Sequence, residues 1–541
     1  MSSIPDIDIR PDHWDIVRTI LQKHVPQYEV WAFGSRAKWA AKDFSDLDLA
    51  IITDEPLPEG VSAALTEAFD DSDLPYTVDI VDWPSISKEF RKKIQDNYKE
   101  ILRKENLKIE FLEVGKLCEF IVDCVNKTAQ TVSHRTPFRM VRTTNIRNNR
   151  VDLADCKFVV ESVYEQWTRR AKIAKGDILL TREAPIGEVG LVNDPDGLFL
   201  GQRIMQYRPD KNKVIPRYLY YAFLSPTVKH QLRKFDGDGS VVSHIPVGEC
   251  DKFIIPVHAK EKQRAIAYIL GTLDDKIELN RQMNETLEFM ARAIFKDWFV
   301  DFGPVRAKAE GRQPEGMSAE VVRLFPEQFN ETNIPSGWAI SSIGSEVTVV
   351  GGGTPSTKEE SYWIPPEFDW VTPKDLSRLD SPVLLKTERK ISRLGMENIS
   401  SGLLPNGTVL LSSRAPIGYL AVTEIPVAIN QGFIALLCDK TIPNLYVLFW
   451  CQTHLQEIIN NANGSTFQEI SKANFRPIPI IIPQENILKH YTHMVAPWYR
   501  RIVKNIEENI SLTQLRDTLL PKLISGELRI KDAEKFVAEA I

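Results

Sequence analysis

Apolar positions in two long stretches of the chain follow a seven-residue repeat. Across residues 258–302, and again across residues 484–520, apolar side chains recur at alternating steps of four and three. The first seam consists of Ile266, Leu270, Leu273, Ile277, Asn280, Asn284, Leu287, Ala291, Ile294 and Trp298, and the second of Val495, Tyr499, Ile502, Ile506 and Asn509. This period predicts two long helices, each with an apolar stripe that needs a partner.

Each helix has an obvious partner in the other. We predict an antiparallel coiled coil in which Asn280 and Asn509 occupy equivalent seam positions and fix the register at some cost in stability. Pro521 predicts the end of the second helix, because proline cannot donate the helical hydrogen bond. The alternative is two amphipathic helices that dock separately on their own globular modules.

The stretches around these helices are two copies of one sequence. Residues 176–187 (GDILLTREAPIG) return as residues 407–418 (GTVLLSSRAPIG), at an offset of 231 residues. Three further anchors recur in the same order at nearly the same offset: residues 141–146 with 371–376, 239–240 with 464–465, and 277–280 with 506–509. The strand-like runs 177–180 and 189–192 flank the Ala-Pro-Ile-Gly turn. A repeat this long predicts a duplicated domain, since solenoid units repeat every 20–50 residues or so.

These patterns divide the chain into seven segments. They are an N-terminal domain (1–108), a first module (109–257), a first helical spacer (258–302), a connector rich in glycine and proline (303–335), a second module (336–483), a second helical spacer (484–530) and a tail (531–541).

The net charge of −6 is unevenly distributed along the 541 residues. Residues 1–108 contain 14 Lys and Arg against 21 Asp and Glu, whereas the remainder is close to neutral. Within that remainder, residues 134–175 contain ten basic and four acidic residues. Such a cluster is typical of a surface that binds a phosphate backbone or of a solvated basic face. The six cysteines form no CxxC pair, and no apolar run reaches the 18 or so residues of a membrane span, so we expect a cytoplasmic protein.

The ends of the two helices carry specific motifs. Residues 291–302 (ARAIFKDWFVDF) and 515–528 (LRDTLLPKLISGEL) resemble the two helical regions of type I restriction–modification specificity subunits. This resemblance implies a non-catalytic reader of double-stranded DNA, with two target recognition domains that each bind half of a split target. It also implies docking of two modification methyltransferase subunits and, with them, restriction/translocase subunits, which use S-adenosylmethionine and ATP.

The motifs missing from the chain agree with a non-catalytic reader. The sequence has no Asn/Asp-Pro-Pro-aromatic motif for adenine methylation and no GxxxxGK[ST] loop for a motor. Base-contacting residues do not follow from the resemblance, because recognition domains vary most where they touch bases. Arg142, Arg147, Lys374 and Arg414 are candidates, since Arg and Lys suit phosphate or guanine contacts. The alternative for each is a surface cation or a structural salt bridge.

The first hundred residues carry a different kind of motif. Residues 30–37 (VWAFGSRA) read as a strand that ends in a Gly-Ser turn, and ten residues later follows DLDLAII. On a strand, Asp46 and Asp48 would share a face, about 7 Å apart. Carboxylates so placed suit Mg²⁺ beside a triphosphate. Asp79, in a further strand-like run, offers a third carboxylate.

This pattern resembles the minimal nucleotidyltransferases of the polymerase-beta superfamily over residues 10–105. The resemblance implies that Gly34, Ser35 and Arg36 bind the phosphates of a nucleoside triphosphate. It also implies that Asp46, Asp48 and Asp79 are catalytic and hold Mg²⁺, with Asp79 also a candidate base. The loop at residues 38–43 lacks the glycine that often follows the Arg-Ala pair in relatives, so a regulatory or docking appendage with a retained fold stays an alternative.

The fold class that we predict is α+β and multidomain. A small α/β nucleotidyltransferase-like domain precedes two α/β target recognition domains, separated by two long helices that form the antiparallel coiled coil. The leading interpretation is the DNA-specificity subunit of a type I restriction–modification complex, with an appended nucleotidyltransferase-like domain. One alternative is a toxin–antitoxin-type, metal-dependent nucleotidyltransferase brought to DNA by the reader modules. Another is a degenerate specificity subunit that binds DNA without reading its sequence.

Overall fold

The computed structural model describes residues 5–540 except 27, 43, 54, 103–108, 125–126, 237–243 and 465–467. The chain folds into two compact units. The first consists of Met1–Gly271 with Asp517–Ala540, and the second of Thr272–Arg516. The first unit contains the N-terminal domain and the first module, and the second unit contains the second module.

The N-terminal domain is a four-stranded sheet flanked by helices. Its elements are α1 (Pro11–His24), β1 (Glu29–Phe33), α2 (Gly34–Ala37), β2 (Leu47–Ile52), α3 (Glu59–Asp70), β3 (Val78–Asp82), α4 (Lys88–Gln95) and β4 (Lys99–Leu102). The strand order is β3-β2-β1-β4, and only β2 and β3 run parallel. Alternating residues of β1 and β2, such as Val30 and Leu49, pack in one core with Val17 of α1 and Leu65 of α3. Because successive side chains of a strand face opposite sides, Asp48 lies on the other face of this sheet.

The first module contains three small sheets. Its strands are β5 (Glu110–Glu113), β6 (Cys118–Asp123), β7 (Phe138–Val141), β8 (Ile146–Arg147), β9 (Arg150–Val151), β10 (Lys157–Val159), β11 (Ile178–Thr181), β12 (Val189–Leu191), β13 (Leu198–Leu200), β14 (Ile204–Pro209) and β15 (Ile254–Val257). Its helices are α5 (Glu161–Trp167), α6 (Pro216–Leu224) and α7 (Pro226–Arg233). The sheets have the orders β12-β11-β14-β6, β10-β7-β13 and β15-β5, and β8 and β9 form a separate two-stranded ribbon.

The first long helix, α8 (Lys260–Phe299), is continuous over 40 residues. It ends before Phe302, whose φ of 52° is left-handed, and before Gly303-Pro304. The connector that follows is not only irregular chain, because it contains the helices α9 (Gly303–Ala309) and α10 (Ala319–Leu324).

The second module repeats the architecture of the first. Its strands are β16 (Ala339–Ser342), β17 (Thr348–Gly351), β18 (Phe368–Val371), β19 (Val383–Leu384), β20 (Arg389–Ile391), β21 (Val409–Ser412), β22 (Leu420–Thr423), β23 (Ala428–Ile429), β24 (Phe433–Leu437) and β25 (Pro479–Ile482). Its helices are α11 (Ile343–Glu346), α12 (Pro373–Leu376), α13 (Arg393–Glu397), α14 (Asn444–Thr453), α15 (Leu455–Asn460) and α16 (Lys472–Phe475). The helices α17 (Glu485–Ser525) and α18 (Ile530–Ala540) complete the chain.

The two modules correspond sheet by sheet. The orders β17-β24-β21-β22-β19, β20-β18-β23 and β16-β25 match those of the first module, with β19 as an added edge strand. Arg142 and Thr372, 230 residues apart, each begin a short helical turn. In both, the backbone N–H donates to the side-chain oxygen of the residue three positions on, to Asn145 Oδ1 at 3.0 Å and to Asp375 Oδ2 at 2.8 Å. Ala184 and Ala415 both have positive φ. The predicted duplication is therefore confirmed in the backbone. One anchor, at residues 239–240 and 464–465, lies outside the described residues except for Gly464.

The long helices pair with each other in antiparallel orientation, as predicted. Asn280 Nδ2 donates to Asn509 Oδ1 at 2.9 Å, and Asn505 Nδ2 donates to Asn284 Oδ1 at 2.7 Å. Moving forward along α8 therefore means moving backward along α17. Seam residues such as Ile277 are buried. On α17, Asn505 is more deeply buried than its neighbour Ile506, so the contact line includes a second polar position that the apolar pattern did not predict.

The prediction that Pro521 ends the second helix is wrong. The helix continues through this proline to Ser525. Leu523 and Ile524 beyond it are buried, and the Ile524 carbonyl bonds the ring of His258 at 2.9 Å. Tertiary packing of the last turn thus outweighs the one hydrogen bond that proline cannot make. Across the described ranges, no helix is both long enough and apolar enough to cross a membrane.

Candidate functional site

The candidate catalytic site of the N-terminal domain begins where β1 ends. Gly34 follows Phe33 with a φ of 74°, in the left-handed region that favours glycine. A Cβ added to Gly34 would lie 2.0 Å from the Asp48 Oδ2 atom, which is closer than any real contact. The glycine therefore lets the backbone of the Gly-Ser turn lie directly against the Asp48 carboxylate.

The parallel pairing of β2 and β3 brings the predicted carboxylates together. Asp48 and Asp79 are directly opposite each other in the register, so their Cα atoms are separated by about the 4.8 Å strand spacing. Asp46 immediately precedes β2, and its carboxylate accepts a hydrogen bond from the Thr77 hydroxyl. The three carboxylates thus lie at one end of two neighbouring strands.

The electrostatics of this cluster are those of uncompensated negative charge. Partial burial raises the pKa of the Asp48 carboxyl, and the charges of Asp79 and Asp46 raise it further. A nearby cation would lower the free energy of the charged form. The donor set therefore fits a divalent cation.

These carboxylates do not form a complete protein cage for a metal ion. Within the described residues, no group of three or more His, Cys, Asp and Glu side chains is arranged to hold a metal ion. The close pair is Asp48 and Asp79, whereas the Asp46 carboxylate is occupied by Thr77. Mg²⁺ commonly takes one or two protein carboxylates and completes its shell with waters and substrate phosphates. The carboxylates of Asp48 and Asp79 fit this mode of Mg²⁺ binding.

Arg36 has a different environment from the one that the resemblance implies. Its guanidinium is buried and donates to the carbonyls of Ser45 and Asp8, each at 2.9 Å. It also lies 3.8 Å from the centre of the Tyr76 ring. These contacts tie the Gly-Ser turn to the segment that leads into β2, so Arg36 positions the site, and its predicted contact with nucleotide stays a prediction.

Sequence patterns alone did not identify Thr77 and Tyr76 as part of this site. Thr77 lies two residues before Asp79, which is a weak signal for a shared strand face. Nothing in the sequence signals Tyr76, because the Arg36 contact joins residues 40 positions apart.

The four predicted DNA-binding cations all form ion pairs. Arg142 pairs with Asp155 at 2.8 Å, Arg147 with Asp152 at 2.8 Å, Lys374 with Glu388 at 3.1 Å, and Arg414 with Glu469 at 3.6 Å. In this structure the four side chains thus form salt bridges, which was the alternative to a DNA contact. Their contact with DNA stays a prediction, since most of these side chains are also substantially exposed.

Some other basic residues between positions 134 and 175 differ from these four in their ion pairing. Arg135, Lys157 and Arg169 are exposed, and none of them forms an ion pair within the described residues. Sequence reasoning could not separate them from the other basic residues between positions 134 and 175, because the partners of those residues are set by the fold.

Comparisons with known families match both parts of the chain. The type I restriction modification DNA specificity domain matches residues 110–289 and again residues 335–511. The polymerase beta nucleotidyltransferase family matches residues 16–107. The two specificity matches coincide with the two structural copies, and the nucleotidyltransferase match covers the Gly-Ser turn and all three carboxylates.

Curated relatives divide in the same way. The type I restriction enzyme HindI specificity subunit of Haemophilus influenzae is 27% identical over 403 residues, 66% of this chain and 87% of that protein. The MjaIX specificity subunit of Methanocaldococcus jannaschii is 28% identical over 364 residues, 66% of this chain and 79% of that protein. The "Probable protein adenylyltransferase MntA" of Haemophilus influenzae is 51% identical over 105 residues, 19% of this chain and 92% of that protein.

The fold and the family matches together define a specificity protein with two modules and an added domain of the nucleotidyltransferase family. The chain belongs to the type I restriction–modification DNA specificity family and carries an N-terminal nucleotidyltransferase domain similar to MntA.

Proposed function

We propose that this chain reads a two-part target in double-stranded DNA, with each module binding one half. The observation that carries the proposal is the duplication, since the same three sheets recur on both sides of α8. Two copies of one reader in one chain suit a target with two separated halves. Sequence would be read by side chains at base edges, while phosphate contacts fix the position on the duplex.

The partner subunits that we propose are two modification methyltransferases and, through them, restriction/translocase subunits. Two relatives of the part of the chain that contains the modules are named specificity subunits of type I restriction enzymes. The chain has no methylation or motor motif, so S-adenosylmethionine and ATP would be used by the partners.

Cations of both modules would contribute phosphate contacts. We propose Arg135, Lys157 and Arg169 for this role, because they are exposed and form no ion pair with any residue that the structure describes. Arg142, Arg147, Lys374 and Arg414 would exchange a carboxylate partner for a DNA phosphate or a guanine edge. An exposed ion pair contributes only about 0–1 kcal/mol, so this exchange has a low cost.

For the N-terminal domain we propose transfer of a nucleotidyl group from a nucleoside triphosphate. The backbone of Gly34 and Ser35 would hold the phosphates, and Asp48 and Asp79 would hold Mg²⁺, with Asp46 beside them. Bound there, Mg²⁺ supplies charge neutralisation for the phosphates. An acceptor oxygen attacks the α-phosphorus, the bond to the β-phosphate oxygen breaks, and pyrophosphate leaves. Asp79 would take the proton of the acceptor. The relative of this domain is named a protein adenylyltransferase, which favours ATP and a protein acceptor.

A genome-wide map of adenine methylation tests the main proposal. Cells would express the chain with its neighbouring methyltransferase subunit, and matched cells would express the methyltransferase alone. We expect one split motif, methylated in both halves and absent from the matched cells. A stable complex without any motif would contradict the reader function and favour a nucleotidyltransferase carried by DNA-binding modules.

A further inference from the structure

Two tryptophans of the second module hold one arginine against a flat surface. Arg389 is the first residue of β20, and its Cζ atom lies 3.9 Å from the centre of the Trp363 ring and 5.2 Å from that of Trp370. The two indoles pack edge to face, with their ring centres 5.2 Å apart. Trp370 is buried in β18, directly opposite Arg389 in the register of the strands. These two rings form a tryptophan platform under an exposed cation.

Hydrogen bonds fix both rings of the tryptophan platform. Trp363 Nε1 donates to the Ser356 carbonyl at 3.1 Å, and Trp370 Nε1 donates to the Gly353 carbonyl at 3.3 Å. Both carbonyls belong to the segment that follows β17. Neither indole can turn without losing its hydrogen bond, so the surface under Arg389 is rigid. The attraction between a cation and an aromatic face then favours one position of the guanidinium.

The hydrogen-bond donors of Arg389 are available to a ligand. Its guanidinium forms no ion pair and no hydrogen bond with any residue that the structure describes. The nearby carboxylates have other partners. Glu388 pairs with Arg378 at 2.8 Å, and Asp369 pairs with Lys390 at 2.9 Å. Because the N–H donors of a guanidinium lie in its plane, a ring stacked on its face leaves them open.

The first module has a cation at the equivalent position. Lys157 is opposite Met140 in the register of β10 and β7, as Arg389 is opposite Trp370 in that of β20 and β18. Met140 and Trp370 are 230 residues apart, which is the offset of the repeat. Lys157 is also exposed. Both modules therefore place an exposed cation at this position, but a lysine lacks the planar fork of a guanidinium.

We propose that Arg389 reads a guanine in the half of the DNA target that the second module binds. Guanine presents its O6 and N7 acceptors side by side in the major groove, and two N–H donors of one guanidinium match them. A phosphate could accept the same two bonds, but neutralising a phosphate requires only charge. The tryptophan platform adds a fixed plane, which two bonds to one base edge require. This inference rests on the proposed reading of a two-part target.

Methylation maps of cells that express R389A or R389Q with the neighbouring methyltransferase subunit test this assignment. We expect one G·C position in one half of the motif to become degenerate, while the other half stays unchanged. R389Q keeps a planar side-chain amide without the charge. Because Arg389 is exposed, both variants should keep the melting temperature of the parent chain.

Binding to duplexes measures the size of the effect. The ligands are the parent motif and the same motif with that G·C pair replaced by A·T, and the protein is the complex of the full chain with its methyltransferase subunit. The replacement should weaken binding by the parent complex about 5- to 150-fold, and binding by the R389A complex by less than about threefold.

Arg306 gives a matched control. It is also an exposed arginine beside an aromatic ring, 5.5 Å from the centre of Phe329, but it belongs to α9 in the connector. R306A should keep the motif and the discrimination of the parent chain. The same degeneracy in R306A as in R389A would overturn the inference.

Two further outcomes separate this inference from the proposed function. If the parent chain gives a split motif and R389A leaves that motif unchanged, Arg389 does not read a base and this inference alone is overturned. An equal loss of affinity for both duplexes would then assign Arg389 to a phosphate. If the parent chain gives no motif, the reader function is overturned and this inference with it.

Discussion

At the scale of single residues, the contact between Gly34 and Asp48 decides the shape of the candidate catalytic site. A methyl group at position 34 would meet the Asp48 carboxylate at 2.0 Å and would also strain a left-handed backbone. We expect Gly34→Ala to destabilise the N-terminal domain by about 1–3 kcal/mol. Thermal unfolding followed by tryptophan fluorescence would measure this loss.

The control for that substitution is Gly60→Ala. Gly60 lies in α3, and no atom is within 4 Å of a Cβ added there. Alanine is the better helix former, so this variant should be neutral or more stable by up to about 1 kcal/mol. Equal destabilisation by both substitutions would show that the Gly34 contact has no special role.

Asp48 should make the free energy of unfolding depend on pH. Its pKa is raised in the folded state, so the folded protein binds this proton more tightly than the unfolded chain does. The resulting stability is fully present below the unfolded pKa of about 3.9 and is lost as pH rises through the folded pKa. At pH 7, Asp48→Asn should therefore raise the melting temperature, and the gain should shrink as pH falls toward 4. Calorimetry at both pH values checks this expectation.

Added Mg²⁺ should reverse the order of the melting temperatures of the parent chain and Asp48→Asn. It should raise the melting temperature of the parent chain, because it neutralises Asp48 and Asp79, and should have little effect on Asp48→Asn. If Mg²⁺ changed both melting temperatures equally, the metal would bind at a site other than Asp48.

At the scale of elements, a polar layer inside the helix pair determines its register. Asn284 and Asn505 are both buried and bonded to each other at 2.7 Å. Asn284→Leu alone leaves the amide of Asn505 unpaired and should cost about 1–3 kcal/mol. The double variant Asn284→Leu/Asn505→Leu should recover most of that loss, since an apolar pair replaces the polar one. A double-mutant cycle by chemical denaturation measures the coupling.

Gln282→Ala is the control for this cycle. Gln282 is an exposed residue of the same helix whose side chain donates a hydrogen bond to Glu278, so its loss should change stability by less than about 0.5 kcal/mol. A double variant that stayed as unstable as the sum of the single variants would contradict the bonded pair.

At the scale of the whole molecule, the proposed DNA specificity and the proposed nucleotidyl transfer belong to different parts of the chain. The specificity family matches residues 110–289 and 335–511, whereas the carboxylates lie before residue 108. Asp46→Asn/Asp48→Asn should therefore leave the methylated motif unchanged while abolishing nucleotidyl transfer. The methylation map and transfer of radiolabelled AMP to protein report the two activities. Loss of the motif in this variant would show that the N-terminal domain is needed for reading DNA.

Several features could be predicted from the sequence because they depend on local pattern. The seven-residue spacing predicted both long helices, and the repeated strand-turn-strand segment predicted two copies of one module. Asp46, Asp48 and Asp79 could be named in advance as a set of carboxylates from their strand-like runs, whereas the register that sets Asp48 opposite Asp79 appeared only in the structure. The end of α17 could not be predicted from the sequence. The helix continues through Pro521 because Leu523 and Ile524 become buried, and no local pattern reveals that burial.

The sequence by itself determined the periodicity of the helices, the duplication and the residues that offer carboxylates. Each of these is a property of neighbouring positions, or of one stretch compared with another. Only the tertiary structure decided which cations already have carboxylate partners and where Arg36 donates its hydrogen bonds. Those outcomes depend on contacts between residues far apart in the chain, and hydrogen bonds and burial are fixed only when the chain brings these residues together.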